Sequence, residues 1–147
     1  MLKINDDLLK QCLDGFNTEY ECPVFGTLSV IDSFLSSGRD YLPAFAAVSK
    51  YRTLLLVPIS LSVYTDGTVD LLEYPLLRCQ RCDVTRTLFG NYHLKFIYKE
   101  DKKSEILKLN VSRSIPGAQL SMQKENMGSF AALCEEWGNS GLFSGKK

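Results

Sequence analysis

The most reactive side chains in the sequence are five cysteines and a single histidine, His93. Cys79-Gln80-Arg81-Cys82 has the spacing of half a structural zinc site, but the chain contains no second pair of this kind. In an extended strand, residues 79 and 82 point to opposite faces, so chelation by both thiolates requires an intervening turn. We therefore interpret these residues as ordinary cysteines of a strand and predict no metal site.

The predicted strands and helices do not bring together an acid and a base suited to catalysis. His93 falls on the polar side of a predicted strand, and the paired carboxylates fall at helix ends or in a hairpin: Asp6, Asp7, Asp66, Asp70, Glu135 and Glu136. No nucleophile elbow, P-loop or dinucleotide-binding glycine motif occurs. We predict a protein that is not an enzyme and uses no cofactor. The alternative hypothesis is a small-ligand-binding or enzymatic barrel in which Cys79, Cys82 and His93 line a cavity.

Charge is balanced overall and uneven along the chain. Lys plus Arg and Asp plus Glu both number 17, which removes the global basic field of a nonspecific nucleic-acid binder. Residues 50–113 nevertheless carry eleven basic and seven acidic residues, an excess of four positive charges that the rest of the chain cancels. This mildly basic segment supplies the candidate binding residues Lys50, Arg52, Arg78, Arg81 and Arg86.

The compartment is predicted from the N-terminus and the cysteines. Asp6 and Asp7 stand where a signal peptide needs an apolar run, and the apolar stretch 54–59 falls well short of the ~20 residues that span a bilayer. An odd number of cysteines in a chain of 147 residues is typical of reduced thiols. We expect a cytoplasmic location.

Hydrophobic periodicity divides the chain into helices and strands. Residues 5–16 have a helical stripe, with Asn5 as the predicted N-cap. The pattern then alternates, with turns at 36–40 and at Asp66-Gly67, which favours a tight hairpin. Seven strands are predicted, at 24–31, 44–50, 54–64, 68–74, 76–86, 92–99 and 105–111.

A second amphipathic helix is predicted near the C-terminus, at residues 126–137. Phe130, Leu133, Cys134 and Trp137 follow helical spacing and are expected to dock this helix on the β structure. Asn126 or Ser129 is the predicted N-cap, and Gly138 is expected to end the helix with a positive φ. Residues 112–125 are predicted to form a loop, and residues 138–147 a frayed tail.

This order of elements resembles the pleckstrin-homology (PH) superfold, and the bacterial PH-like domains in particular. The resemblance rests on Leu54-Leu55-Leu56-Val57, Leu61-Ser62-Val63-Tyr64-Thr65-Asp66-Gly67, Glu73-Tyr74-Pro75-Leu76 and Leu88-Phe89-Gly90. It implies an α+β, mostly β fold, a seven-stranded antiparallel barrel closed by the C-terminal helix. Residues 1–17 then form an extra N-terminal helix, residues 24–137 the domain, and residues 138–147 a flexible tail. A cystatin-like or lipocalin-like sheet is the alternative architecture.

The resemblance implies a non-enzymatic interaction module. Its expected partner is a protein, and a weak contact with an anionic membrane surface is a further hypothesis. Phosphoinositide binding is not expected, because the first hairpin loop has only Arg39 beside Asp40. Nucleic acid is not expected, because alternation assigns Tyr92 and Phe96 to the core rather than to a stacking platform. The N-terminal helix is expected to pack on the domain, and a homodimer is a second hypothesis for it.

Overall fold

The computed structural model describes residues 4–32, 42–59, 71–100, 103–115 and 117–140. Its elements are β1 (Ile4–Asn5), α1 (Asp6–Asp14), β2 (Tyr20–Asp32), β3 (Leu42–Ser49), β4 (Thr53–Pro58), β5 (Leu72–Pro75), β6 (Arg81–Arg86), β7 (Tyr92–Glu100), β8 (Lys103–Val111), β9 (Ala118–Gln119) and α2 (Gln123–Gly138). A 3-10 turn, Leu76–Arg78, joins β5 to β6. The α+β, mostly β class predicted from the sequence is confirmed.

Seven of the strands form one antiparallel sheet in the order β5-β4-β3-β2-β8-β7-β6. The long strand β2 pairs with β3 through its first part and with β8 through its second part, so it joins two meanders. These seven strands correspond one to one with the seven predicted strands. The two short strands β1 and β9 pair in parallel and form a separate small sheet.

The predicted closure into a barrel is wrong, because no pairing joins the edge strands β5 and β6 within the described chain. Asn139, which follows α2, provides a physical reason. Its side-chain amide accepts a hydrogen bond from the Cys82 N–H at 3.0 Å and donates one to the Cys82 carbonyl at 2.9 Å. The amide thus takes the place of a neighbouring strand at the outer edge of β6.

The helix α2 packs on one face of this sheet. Its buried residues follow helical spacing and are Gln123, Met127, Phe130, Ala131, Cys134 and Gly138. The predicted docking residues Phe130 and Cys134 are fully buried, whereas Leu133 and Trp137 are only partly buried. The sheet contributes alternate apolar side chains of β2, β3, β4, β7 and β8 to this main core.

Both predicted ends of α2 need correction. The helix begins three residues earlier than predicted, and its N-cap is Met122 rather than Asn126 or Ser129. The Asn126 side chain instead donates to the Pro23 carbonyl at 3.0 Å, which ties the helix to β2. Gly138 is the last helical residue, and its φ is not positive. A Cβ at Gly138 would lie 2.7 Å from the Cβ of Cys82, so close packing favours glycine there.

The N-terminal helix α1 covers part of the opposite sheet face. The Leu8 N–H donates to Asn5 Oδ1 at 2.9 Å, which confirms the predicted N-cap. Leu8, Cys12 and Leu13 pack with side chains of β2, β3 and β4 in a second, smaller core. The predicted packing of this helix on its own domain therefore agrees with the structure.

The connection between β5 and β6 differs from the single strand predicted at 76–86. After Pro75 the chain forms the 3-10 turn, in which Leu76 N–H donates to the Arg52 carbonyl and Cys79 N–H donates to the Leu76 carbonyl. The strand β6 starts only at Arg81. Cys79 therefore lies outside β6, and the prediction that Cys79 and Cys82 belong to one strand and point to opposite faces is wrong.

Other boundaries also shift. β2 begins four residues before the predicted 24, and the predicted loop at 112–125 contains β9 and the start of α2. The predicted hairpin at Asp66-Gly67, the turn at 36–40 and most of the tail at 138–147 lie outside the described residues. So does the part of the predicted strand 54–64 that follows residue 59 and the start of the predicted strand 68–74.

Candidate functional site

The candidate site is the face of β6, β7 and β8 that points away from α2. No helix within the described ranges packs on it, since α1 contacts β3 and β4 instead. We call this surface the lysine face and define it by the residues that the strand register places side by side: Asp83, His93, Lys95, Ile97, Lys99, Ile106, Lys108 and Asn110. The alternate residues of the same strands point into the main core.

Two lysines face each other at the centre of this surface. Lys95 of β7 is directly opposite Lys108 of β8. Directly opposite residues in an antiparallel pair have Cβ atoms about 4.5–5.5 Å apart, a spacing at which like charges destabilise the sheet. Both side chains are partly buried, which keeps their stems on the sheet.

The nearest carboxylate does not neutralise this pair. Asp83 is opposite Lys95 on β6, but its Oδ2 lies 3.0 Å from Arg81 Nη2. With the residues that the structure describes, neither Lys95 nor Lys108 forms an ion pair. Within the described part of the chain, the lysine face therefore presents two adjacent positive charges, neither of which forms an ion pair.

Polar and apolar groups border the two lysines on opposite sides. His93 Nδ1 and Asn110 Oδ1 form a hydrogen bond in the next register position. Ile97 and Ile106 are paired on the other side and are partly buried. The surface thus combines a cationic centre, a polar edge and an aliphatic edge.

The five basic residues predicted as binding residues do not form one site. Lys50 and Arg52 lie in the β3–β4 turn, Arg78 in the 3-10 turn, and Arg81 and Arg86 at the two ends of β6. The register places Arg81 on the lysine-face side of β6 and Arg86 on the α2 side. Arg81 is thus the one candidate that borders the lysine face, where it binds Asp83.

Two of these arginines pack on aromatic rings. The Arg52 guanidinium lies 5.2 Å from the Trp137 ring centre, and the Arg86 guanidinium lies 5.9 Å from that of Tyr92. Arg52 also has a positive φ of 63°, and its carbonyl accepts from the Leu76 N–H. The contacts of Arg52 attach the β3–β4 turn to α2 and to the 3-10 turn, which indicates a structural role for Arg52.

Three of the five cysteines, Cys79, Cys82 and Cys134, form a buried group near the end of α2. A Cβ at Gly138 would lie 3.7 Å from Cys82 Sγ and 3.8 Å from Cys79 Sγ, so both thiols face this point of the helix. Burial raises the pKa of Cys79, of Cys82 and of Cys134. His93 is exposed on the opposite face of the sheet, so these cysteines and His93 do not line a common cavity.

All five thiols are free, and each has a pKa raised mainly by desolvation. Among the described residues, no group of three or more His, Cys, Asp or Glu side chains is arranged to hold a metal ion. The Cys79 Sγ donates to the Arg81 carbonyl at 3.1 Å, which stabilises the protonated thiol. The arrangement is that of inert interior cysteines.

Native thiol reactivity tests this interpretation. At neutral pH we expect Ellman's reagent to react slowly with the folded protein, because the thiols are protonated and shielded, and Cys22, the one partly buried thiol, to react first. Urea-unfolded protein, in which all five thiols are accessible, is the control. Rapid labelling of Cys79 or Cys82 in the native state would contradict the interpretation of inert interior cysteines and would support the hypothesis of a reactive cavity.

The sequence reasoning did not select the turn between β6 and β7 as a site. At this turn Leu88 is 99% exposed and Phe89 is 79% exposed. In the sequence, two large apolar residues, Leu88 and Phe89, stand between Thr87 and Gly90. This pattern was the signal by which the exposed turn could have been found. Leu88-Phe89-Gly90 contributes to the resemblance to PH-like domains, which does not by itself predict a binding surface.

A comparison of the chain with protein-family models and with curated proteins gives no match. No helix within the described residues is long and apolar enough to cross a membrane.

Proposed function

We propose that this protein is a non-enzymatic binding module of PH-like architecture, and that an acidic segment of a partner protein binds its lysine face. The observation that carries the proposal is the pair Lys95 and Lys108, which are adjacent across two strands and have no ion-pair partner among the described residues. A partner carboxylate between the two ammonium groups relieves their repulsion.

The rest of the face defines the chemistry of the partner. Ile97 and Ile106 offer a small aliphatic contact beside the lysines, and the His93–Asn110 pair offers polar groups on the other side. A segment with an acidic and an aliphatic residue two positions apart matches this pattern, because side chains two positions apart share one face of an extended chain, as Lys95 and Ile97 do. Such complementarity speeds association and selects against basic partners.

Two further observations support the non-enzymatic part of the proposal. The interior thiols are held in their protonated form, and the only histidine lies apart from them on the other side of the sheet.

The PH-like part is supported by the order of elements, seven antiparallel strands followed by a helix that packs on the sheet. The reduced thiols are consistent with a cytoplasmic location, which we propose as well.

Charge reversal on the lysine face tests the proposal. We expect the wild-type protein to bind fluorescein-labelled peptides in which a glutamate and an isoleucine or leucine stand two positions apart, and not the matching peptides with lysine in place of glutamate. The double variant Lys95→Glu/Lys108→Glu should bind the acidic peptides at least about tenfold more weakly, because two close charge contacts become repulsive. Fluorescence anisotropy at low and at high salt measures both effects.

The matched control is the double variant Lys10→Glu/Lys124→Glu, which changes the net charge equally on two exposed helix positions. If this control weakens peptide binding as much as the lysine-face variant, the attraction depends on overall charge and the proposed site is wrong. A panel in which no acidic peptide binds the wild-type protein also contradicts the proposal. Circular dichroism establishes that both variants are folded.

A further inference from the structure

A second surface, separate from the lysine face, lies at the turn between β6 and β7. Leu88 and Phe89 are the two most exposed of the large hydrophobic residues that the structure describes. We call this turn, residues 87–91, the hairpin tip. Lys95 lies six positions after Phe89 along the chain, which corresponds to at most about 20 Å of extended chain.

The hairpin tip has a defined conformation. Thr87 N–H donates to the Asn91 carbonyl at 2.8 Å, and Gly90 N–H donates to the Thr87 carbonyl at 3.0 Å. Asn91 N–H donates to Thr87 Oγ1 at 3.1 Å, and Gly90 has a φ of 82°, which favours glycine. Leu88 and Phe89 are therefore held outward by the backbone, and burying them in a partner costs little additional ordering.

Basic side chains flank the tip. Arg113 Nη1 donates to the Phe89 carbonyl at 3.4 Å, and the Arg113 N–H donates to Asn91 Oδ1 at 2.9 Å. Arg86 lies two residues before Leu88, with its guanidinium over the Tyr92 ring. The tip thus combines two projecting apolar side chains with a cation on each side.

The sequence around the tip contains no acidic residue. Segments 84–99 and 106–124 have six lysines and arginines and no aspartate or glutamate: Arg86, Lys95, Lys99, Lys108, Arg113 and Lys124. Residues 92–99 of β7 and 106–111 of β8 belong to these two segments and pair with each other, so their positive charges lie on neighbouring strands. The acidic residues of these strands, Glu100 and Glu105, lie toward the strand ends away from the tip. The local field therefore attracts an anionic surface toward this side of the molecule.

We propose that the hairpin tip inserts Leu88 and Phe89 into the interfacial region of an anionic lipid bilayer, with Arg86 and Arg113 at the level of the lipid phosphates. A bilayer accepts a small convex apolar tip, because its acyl chains conform to the inserted side chains. A stable protein interface instead buries about 800 Å² on each partner, and two side chains on a turn supply only part of such a surface. Headgroup phosphates complement the flanking arginines.

This inference goes beyond the proposed protein-binding function and is independent of it. With the tip in the membrane, the strands β6 and β7 extend away from the bilayer, and the lysine face begins farther along β7. The same molecule can then hold an acidic protein segment at a membrane surface. Vesicle binding can be measured when peptide binding is lost, and peptide binding can be measured when vesicle binding is lost. Either proposal can therefore be contradicted without the other.

The test is co-sedimentation with vesicles of phosphatidylcholine alone and of phosphatidylcholine with phosphatidylserine. We expect the wild-type protein to bind the anionic vesicles and to bind less at high salt. The double variant Leu88→Ser/Phe89→Ser should reduce the partition coefficient by about tenfold or more, because it removes the inserted apolar surface. The variant Arg86→Gln/Arg113→Gln should weaken binding by about fivefold or more and reduce the salt dependence.

The matched control is Leu42→Ser, at a leucine that is 48% exposed and lies on β3, three strands away from β7 in the sheet. It should leave vesicle binding unchanged. A Trp reporter adds an insertion readout. In a Trp137→Phe background, Phe89→Trp should show a blue shift on anionic vesicles and quenching by brominated lipid.

Vesicle binding that survives Leu88→Ser/Phe89→Ser overturns the proposal, and so does absence of binding to anionic vesicles by the wild-type protein. If vesicles are not bound but the same double variant loses binding to an acidic peptide, the tip belongs to a protein interface instead. Binding without a blue shift of the reporter means surface attraction alone and also overturns insertion. Unfolding curves of the exposed-site variants should match the wild type and separate binding effects from folding effects.

Discussion

The variant Phe130→Ala is expected to lower the free energy of unfolding by about 3–5 kcal/mol, measured by urea denaturation followed by circular dichroism. Phe130 is fully buried where α2 meets the sheet, and its ring is part of the main core. The neighbouring side chains come from several strands, so they cannot collapse into the space that the ring leaves. The expected loss is the largest among the single changes considered for this protein.

The matched control for this prediction is Phe89→Ala. The same substitution at a residue that is 79% exposed should change stability by less than about 0.5 kcal/mol. Equal effects of the two variants would contradict the packing of α2 on the sheet. They would also indicate that the helix is detached from the sheet.

The variant Gln123→Met is expected to destabilise the protein by about 2–5 kcal/mol. The Gln123 side chain is buried and accepts from Phe25 N–H at 3.0 Å. It also donates to the Phe25 carbonyl at 2.8 Å and to the Ser112 carbonyl at 2.9 Å. Methionine has a similar length and fits a helix, but it leaves these three backbone groups without a partner.

Gln119→Met provides the control, because Gln119 is exposed and the exchange is chemically identical. It should change the denaturation midpoint little, whereas Gln123→Met should lower it at an unchanged slope. A loss below about 1 kcal/mol for Gln123→Met would mean that water replaces the amide at Phe25 and Ser112. The amide would then not be needed to hold the start of α2.

Gln123 and Asn139, at the two ends of α2, make the same kind of hydrogen-bonded contact with the sheet. Gln123 binds both backbone groups of Phe25, and Asn139 binds both backbone groups of Cys82. Each amide reproduces the donor and acceptor of one residue in a β ladder. The helix is therefore attached to the sheet by apolar packing along its length and by a peptide-like contact at each end.

Much of the local structure was predictable from the sequence. The alternation of residues 92–99 correctly separated the core residues Leu94 and Phe96 from the outward residues His93 and Lys95. The N-cap at Asn5 and the seven strands of the sheet also followed from local patterns. These features depend on neighbours within a few positions, where side-chain periodicity and backbone hydrogen bonding act directly.

The candidate surfaces were only partly predictable. The basic segment 50–113 contains β6–β8, which carry the surface that we propose, but the residues selected from it include Lys50 and Arg52 in a turn and not Lys95 or Lys108. Those two lysines are separated by 13 positions in the chain and become neighbours only through the register of β7 and β8. No local pattern specifies which residue of one strand lies opposite which residue of another.

By itself, the sequence determined the class of fold, the strand faces and the helix stripes, because each is set by a short repeat along the chain. Only the tertiary structure decided the strand order, the open edge that Asn139 occupies, and the burial of Cys79 and Cys82 beneath one helix. It also decided that Leu88 and Phe89 remain outside both cores. The physical reason is that these outcomes depend on contacts between residues distant in the chain, whose free energies are settled by the packing of the whole sheet with its two helices.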